Sequence, residues 1–220
     1  MGYLRNPNQL GATDHERAGN DGHMSEAPPI FTIGHSNRSL DEFTELLQGC
    51  GIELLVDVRA FPGSRKLPHF GQDALAAALE ALSIDYLHLR DLGGRRKLDS
   101  SGPAEGAGDG WRNASFRAYA EYAQTEQYSR ALDELTAQAA HRRLAIMCSE
   151  AVPWRCHRWL VSDTLVARGV SVLHVIGSGA PRQHELSPFA HVTGSRVTWP
   201  GPPSAESLRL GPVAQSIGVS

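Results

Sequence analysis

Residues 147–158 read MCSEAVPWRCHR and crowd two thiols, a carboxylate, an imidazole and two guanidiniums into twelve positions. The residue types define the available chemistry. An ionised thiol is a strong nucleophile, a carboxylate transfers protons, and arginine grips anions through a planar fork of donors. Cys148 ends the apolar run LAIM and shortly precedes a helical segment, whose dipole of about half a unit charge favours a thiolate. Arg155 or Arg158 adds to that field, which makes Cys148 the candidate nucleophile and Glu150 the candidate general acid or base. The plainer readings are a small buried cysteine and an acidic residue that complements a helix N-terminus.

Other apolar runs end in the same way. After IFTIG come His35, Ser36, Asn37 and Arg38; at the end of ELLVDVR stand Asp57 and Arg59; after IDYLHL come Arg90, Asp91 and the basic run Arg95, Arg96, Lys97; LAIMC delivers Cys148, Ser149 and Glu150. In an open parallel sheet, ligands bind beyond the carboxyl ends of the strands. Asp57 and His35 are therefore candidate proton carriers beside Cys148 and Glu150. Arg59, Asn37, Arg38, Ser149, Arg155, Arg158, His157, Arg95 and Arg96 are candidate substrate-binding residues. Asp57 and Arg59 share one side of their strand, and a structural ion pair accounts for them equally well. The basic run with Trp111 and Phe116 reads either as a solvated face or as a groove for phosphates with stacking aromatics.

The elements that must position these groups alternate. Strands at IFTIGH, ELLVDVR, IDYLHLRDL, LAIMC and VSVLHVIG are separated by helical periods, SLDEFTELLQG with Ser39 and Glu42 as a capping box, QDALAAALEALS, FRAYAEYAQ with YSRALDELTAQAA, and PWRCHRWLVSDTLVARG. This rhythm predicts an α/β domain with a largely parallel sheet of about five strands and helices on both faces, of Rossmann-like or rhodanese-like kind. The domain is expected over residues 29–178, after a Gly- and Asn-rich disordered leader at 1–28 and before an extended tail at 179–220 that packs partly on it. Residues 93–110 form a long glycine-rich loop.

On one continuous helix from Pro153, the adjacent Cys156, His157 and Arg158 diverge by about 100° each and cannot share a focus. A zinc site from Cys148, Cys156 and His157 is conceivable, but the spacing matches no common zinc pattern. No metal and no cofactor are expected.

The 220 residues carry a net charge of −3, so the chain as a whole has no electrostatic claim on nucleic acid or an anionic membrane. Three cysteines without a secretory leader point to reduced thiols and a cytoplasmic location. No apolar stretch approaches the ~20 residues of a membrane span.

The stretches FTIGHSNRSLDEF, LLVDVRAFPGSRKLPHF, YLHLRDLGG, FRAYAEYA, AIMCSEAVPWRCHRWLVSDTL and HELSPFAHV, in this order, resemble the bacterial family catalogued as domain of unknown function number four hundred and eighty-eight. That resemblance implies action on nucleic acids or nucleotides. ELLVDVRAFPGS and LAIMCSEAVPWRCHRW are also similar to the strand, loop and cysteine loop of rhodanese-type sulfurtransferases. This implies Cys148 as nucleophile and Arg155 as the anion's partner. Six residues separate the two, one more than in the cysteine phosphatase loop, and Pro153 and Trp154 replace small glycine-rich residues there.

The expected function is that of an intracellular enzyme, a hydrolase or transferase, on an anionic, phosphate-bearing substrate such as a nucleotide or nucleic acid. The alternatives are a non-catalytic nucleic-acid-binding module using Arg95 to Lys97 and Trp111, and sulfur transfer or a metal or redox site at Cys148 and Cys156. No membrane partner is expected.

Overall fold

The computed structural model describes residues 28–63, 66–97 and 106–201. The leader up to residue 27, the middle of the glycine-rich loop and the tail beyond residue 201 lie outside them.

Five strands run parallel: β1 (Ile30–Gly34), β2 (Leu54–Asp57), β3 (Asp85–His88), β4 (Leu144–Cys148) and β5 (Val172–Val175). A sixth, β6 (Arg182–Gln183), joins β5 antiparallel from the tail, so the sheet has the order β3-β2-β4-β1-β5-β6. Strands β1, β2 and β4 are buried throughout because helices cover both faces, which is why each reads as a nearly unbroken apolar run.

Helices α1 (Leu40–Gly49) and α2 (Gln72–Glu80) bury Phe43, Leu47, Leu75 and Leu79 on one face, against Phe31, Ile33, Leu55 and Met147. The other face takes Ile30, Leu54, Val56, Leu144 and Ile146. These meet Tyr119 of α3 (Ala114–Tyr122), Leu132 of α4 (Glu126–Ala139) and Leu160 of α5 (Arg158–Ala167). The capping box at the start of α1 forms as its sequence predicts: the Glu42 amide donates to Ser39 Oγ, and the Ser39 amide donates to the Glu42 carboxylate.

The chain leaves β1, builds β2 and β3 to one side, and returns to insert β4 between β1 and β2. Gly34 is thereby in register with Cys148, and Asp57 with Met147. Three strand ends meet at one place. Beyond the strands the pairing continues, with the His35, Ser36 and Val58 amides donating to the carbonyls of Cys148, Ser149 and Met147.

The tail is pinned through one carboxylate. Asp163 of α5, fully buried, accepts from the Ser187 amide and hydroxyl, from Trp199 Nε1 and from His184 Nε2. His184 Nδ1 lies 2.9 Å from His174 Nε2, and His174 Nδ1 lies 2.7 Å from the Thr32 hydroxyl, so a buried polar chain runs from Asp163 back to β1. Residues 191–193 and 196–198 form a separate two-stranded ribbon, β7 (His191–Thr193) with β8 (Arg196–Thr198).

The segment expected as one helix from Pro153 divides. Pro153–Arg155 makes a single 3-10 turn, Cys156 is extended (φ −145°, ψ 168°), and α5 starts only at Arg158. Among the described residues, no helix is long and apolar enough to cross a membrane.

Candidate active site

Cys148 closes β4 at the centre of the sheet. Its neighbour in register, Gly34, lets the following turn pass close overhead: a Cβ on Gly34 would stand 1.7 Å from the Glu150 carbonyl oxygen. Ser36, with φ of +51°, turns the β1 loop away at the same rim.

Because Cys156 lies in extended backbone ahead of α5, its side chain turns back to Cys148, and the two sulfurs are 3.2 Å apart. Arg158, fully buried, donates from Nε to Cys156 Sγ (3.1 Å) and from Nη2 to the Glu150 carbonyl (2.5 Å), while the Glu150 amide points at Cys148 Sγ (3.4 Å). The pair thus shares one negative charge beside a fixed cation. The hydrogen bond between the thiols lowers Cys148 to about 6, with the Arg158 charge and the Glu150 amide assisting against burial. Burial, reinforced by the neighbouring thiolate, pushes Cys156 well up. Near neutral pH the pair holds one proton, on Cys156.

The second group of residues is built on β2. The Asp57 carboxylate, with no exposed surface, accepts from the Arg59 amide (2.9 Å), from Arg59 Nε and Nη2, and from the Tyr86 hydroxyl (2.7 Å). Arg59 Nη1 faces His35 Nε2 at 3.3 Å. His35 Nδ1 donates to the Ser36 carbonyl, and the ring stacks on Phe70 at 4.3 Å. Burial keeps this imidazole neutral down to about 4.

His157 reaches across from the start of α5, with Nε2 on the Val58 carbonyl (3.1 Å). Burial and the Arg158 charge hold it neutral down to about 4. Gly94 leaves room for the ring, since a Cβ there would meet Nδ1 at 2.9 Å.

These groups line a cleft of about 360 Å³. His35, Arg59, Arg95, Cys148, Ser149, Glu150, Cys156 and His157 form its walls, with Phe61 and Gly94 at its margin. Arg95, exposed and at φ +60°, has no partner among the described residues.

Other candidates from the sequence lie elsewhere or are committed to structural partners. Asp57 is not on the cleft wall: its carboxylate accepts from Arg59 and Tyr86 and holds the Arg59 guanidinium in place. Neutral His35 faces a guanidinium through its free nitrogen, which removes it as a proton donor. Arg38 donates to the carbonyls of Gly34 and Ile176 and borders a different hollow with Glu42 and Cys50. Among the described residues, Asn37 meets only Ser36 Oγ, which donates to its Oδ1. Arg96 stacks on Tyr122 at 3.6 Å and donates to the Gly93 and Asp91 carbonyls. Arg155 turns into a neighbouring groove with Trp111, Arg112 and Trp154, so the guanidinium beside the thiols is Arg158. Cys156, which the sequence offers only for a metal or redox site, stands against Cys148 because the helix expected from Pro153 is broken there.

A family model described as Domain of unknown function DUF488 matches residues 39–165, from the cap of α1 through most of α5. No curated protein and no solved structure matches the chain. The matched span includes Asp57, Arg59, Cys148, Glu150, Cys156 and Arg158. The chain belongs to this family.

Proposed function

We propose that this DUF488 protein is a cysteine-dependent intracellular enzyme that turns over an anionic, phosphate-bearing substrate in the rim cleft. The observation that carries the reading is Cys148 itself: a sulfur on the cleft wall, 3.2 Å from a second thiol that is in turn held by a buried guanidinium. Such a thiolate attacks an electrophilic centre and forms a sulfur-linked intermediate as the leaving group departs. Glu150, exposed at the mouth, is placed to supply the leaving group's proton and then to activate the water or acceptor that releases the intermediate. The substrate's anion is assigned to Arg95, whose charge is uncompensated among the described residues. Arg59, neutralised by Asp57, serves as a directional donor at the floor.

A non-catalytic nucleic-acid module has less support. Arg96 is committed to carbonyls and to Tyr122, and Trp111 packs against Phe116 and Phe189.

The test is a screen of nucleotides, phosphate esters and short oligonucleotides against wild type, Cys148→Ser and Glu150→Gln, with mass spectrometry of the Cys148 peptide. The reading requires turnover that Cys148→Ser abolishes, and an adduct on Cys148 that accumulates in Glu150→Gln. Turnover that survives Cys148→Ser would overturn it.

A further inference from the structure

We propose that Cys148 and Cys156 also form a reversible dithiol/disulfide couple, oxidised by hydroperoxides that enter the cleft. This rests on the reading of Cys148 as the thiolate of the cleft, and it assigns to Cys156 the part of resolving thiol.

The geometry is that of two sulfurs one short movement from bonding. A disulfide needs about 2.05 Å between sulfurs, so the observed 3.2 Å must shorten by about 1 Å. Both residues sit where that shift is least costly. Cys148 is the last residue of its strand, and Cys156 lies in extended backbone between a 3-10 turn and α5, with one backbone bond to the Pro153 carbonyl and one from the Trp159 amide. Both line the cleft, so an oxidant as small as hydrogen peroxide reaches them. Cys50, the third cysteine, caps α1 and borders a different hollow.

The chemistry balances within the pair and the oxidant. The Cys148 thiolate attacks the outer oxygen of the hydroperoxide. The O–O bond breaks, the departing oxygen leaves as water or an alcohol after protonation, and Cys148 becomes a sulfenic acid. Cys156, 3.2 Å away, then attacks that sulfur. The S–S bond forms, the sulfenic hydroxyl leaves with the Cys156 proton as a second water, and the two thiols together have lost two electrons and two protons. A small dithiol reductant reverses the step. Rapid closure spares Cys148 from the irreversible sulfinic acid.

The same two sulfurs with a His157 nitrogen, all within 4.8 Å, also match the donor set of a soft metal. Two features favour the redox couple. Thiolates on one zinc stand about 3.8 Å apart, from Zn–S bonds of about 2.3 Å in tetrahedral geometry. In addition, Arg158 already donates to Cys156 and places a positive charge beside the position a cation would take.

The experiment treats the full chain, reduced and desalted, with equimolar hydrogen peroxide and counts thiols after denaturation. The expected result is a fall from three free thiols to one, loss of the mass of two hydrogens, a Cys148 to Cys156 cross-linked peptide, and full recovery with dithiothreitol. In Cys156→Ser the sulfenic acid at Cys148 should persist long enough for capture by dimedone. In Cys148→Ser, Cys156 should stay reduced. Three surviving thiols, sulfinic acid at Cys148 without the cross-link, or one zinc per chain in the untreated protein would each overturn the proposal. The wild-type measurement stands even if a variant fails to fold. A disulfide that forms in a protein without turnover removes the enzyme reading alone, and turnover without a disulfide removes this proposal alone.

Discussion

Cys148 and Cys156 hold their sulfurs 3.2 Å apart because Cys156 is extended between the 3-10 turn at Pro153 and α5. Had the helix run on from Pro153, Cys156 would point elsewhere and Cys148 would lose the thiol with which it shares a proton. The reactivity assigned to the site therefore depends on one backbone conformation.

The first expected outcome concerns that proton. Alkylation of Cys148 followed against pH should show a midpoint near 6, against about 8.5 for a free thiol. Burial should keep Cys50 above its ordinary value. Cys156→Ala removes the largest favourable influence on Cys148 and should move its midpoint upward. A Cys148 midpoint that ignores this substitution would refute the shared-proton account.

Asp57→Asn should destabilise the fold without changing the nucleophile. The substitution leaves the Arg59 guanidinium, 7% exposed, without its counter-charge. Breaking one side of a buried pair costs about 3–5 kcal/mol. Tyr86→Phe removes one donor to the same carboxylate and should cost about 1–3 kcal/mol. Urea midpoints compared at constant slope measure both.

Acid should weaken the protein from about pH 6.5 downward through its buried imidazoles. Burial lowers His35 and His157 to about 4 and His174 to about 3. Below pH 6.5 the unfolded chain binds protons that these folded imidazoles refuse. Stability therefore declines from about pH 6.5 down to about 4, at up to about 1.4 kcal/mol per pH unit for each group. Proton uptake on unfolding near pH 5, measured by calorimetry in buffers of different ionisation heat, should approach three. His174→Gln should reduce it by one.

Gly34→Ala should disable the site from outside it. The added methyl would collide with the Glu150 carbonyl at 1.7 Å and crowd Arg158 Nη2 at 2.9 Å. Backbone cannot yield as a flexible side chain does, so the turn after Cys148 must lift and the Arg158 bond to Glu150 must break. The expected signs are a lower melting temperature and a Cys148 alkylation midpoint shifted upward. A variant with unchanged Cys148 reactivity would show that the close passage of the turn does not matter.

The α/β character, the parallel strands and the capping box at Ser39 were legible in the residues because they depend on local periodicity and short-range hydrogen bonds. So was the gathering of polar groups at strand ends, because side-chain alternation and the direction of parallel strands leave few places for them. Which of those groups touch the cleft was not legible. Asp57 and Arg59 alternate identically whether they serve a substrate or each other, and only the arrival of Tyr86 from β3 shows the carboxylate to be saturated. Arg155 and Arg158 share a helical face in sequence, yet one opens onto a neighbouring groove and the other is buried beneath the thiols.

The amino-acid order alone determined that an ionisable cysteine would end a buried strand among arginines. Only the tertiary structure decided which arginine compensates it and that a second thiol stands against it. The physical reason is range. Strand and helix preferences are set within a few residues, whereas the contacts that shift a thiol's proton come from the end of a strand, the turn beyond it and the start of the next helix, brought together by the insertion of β4 between β1 and β2.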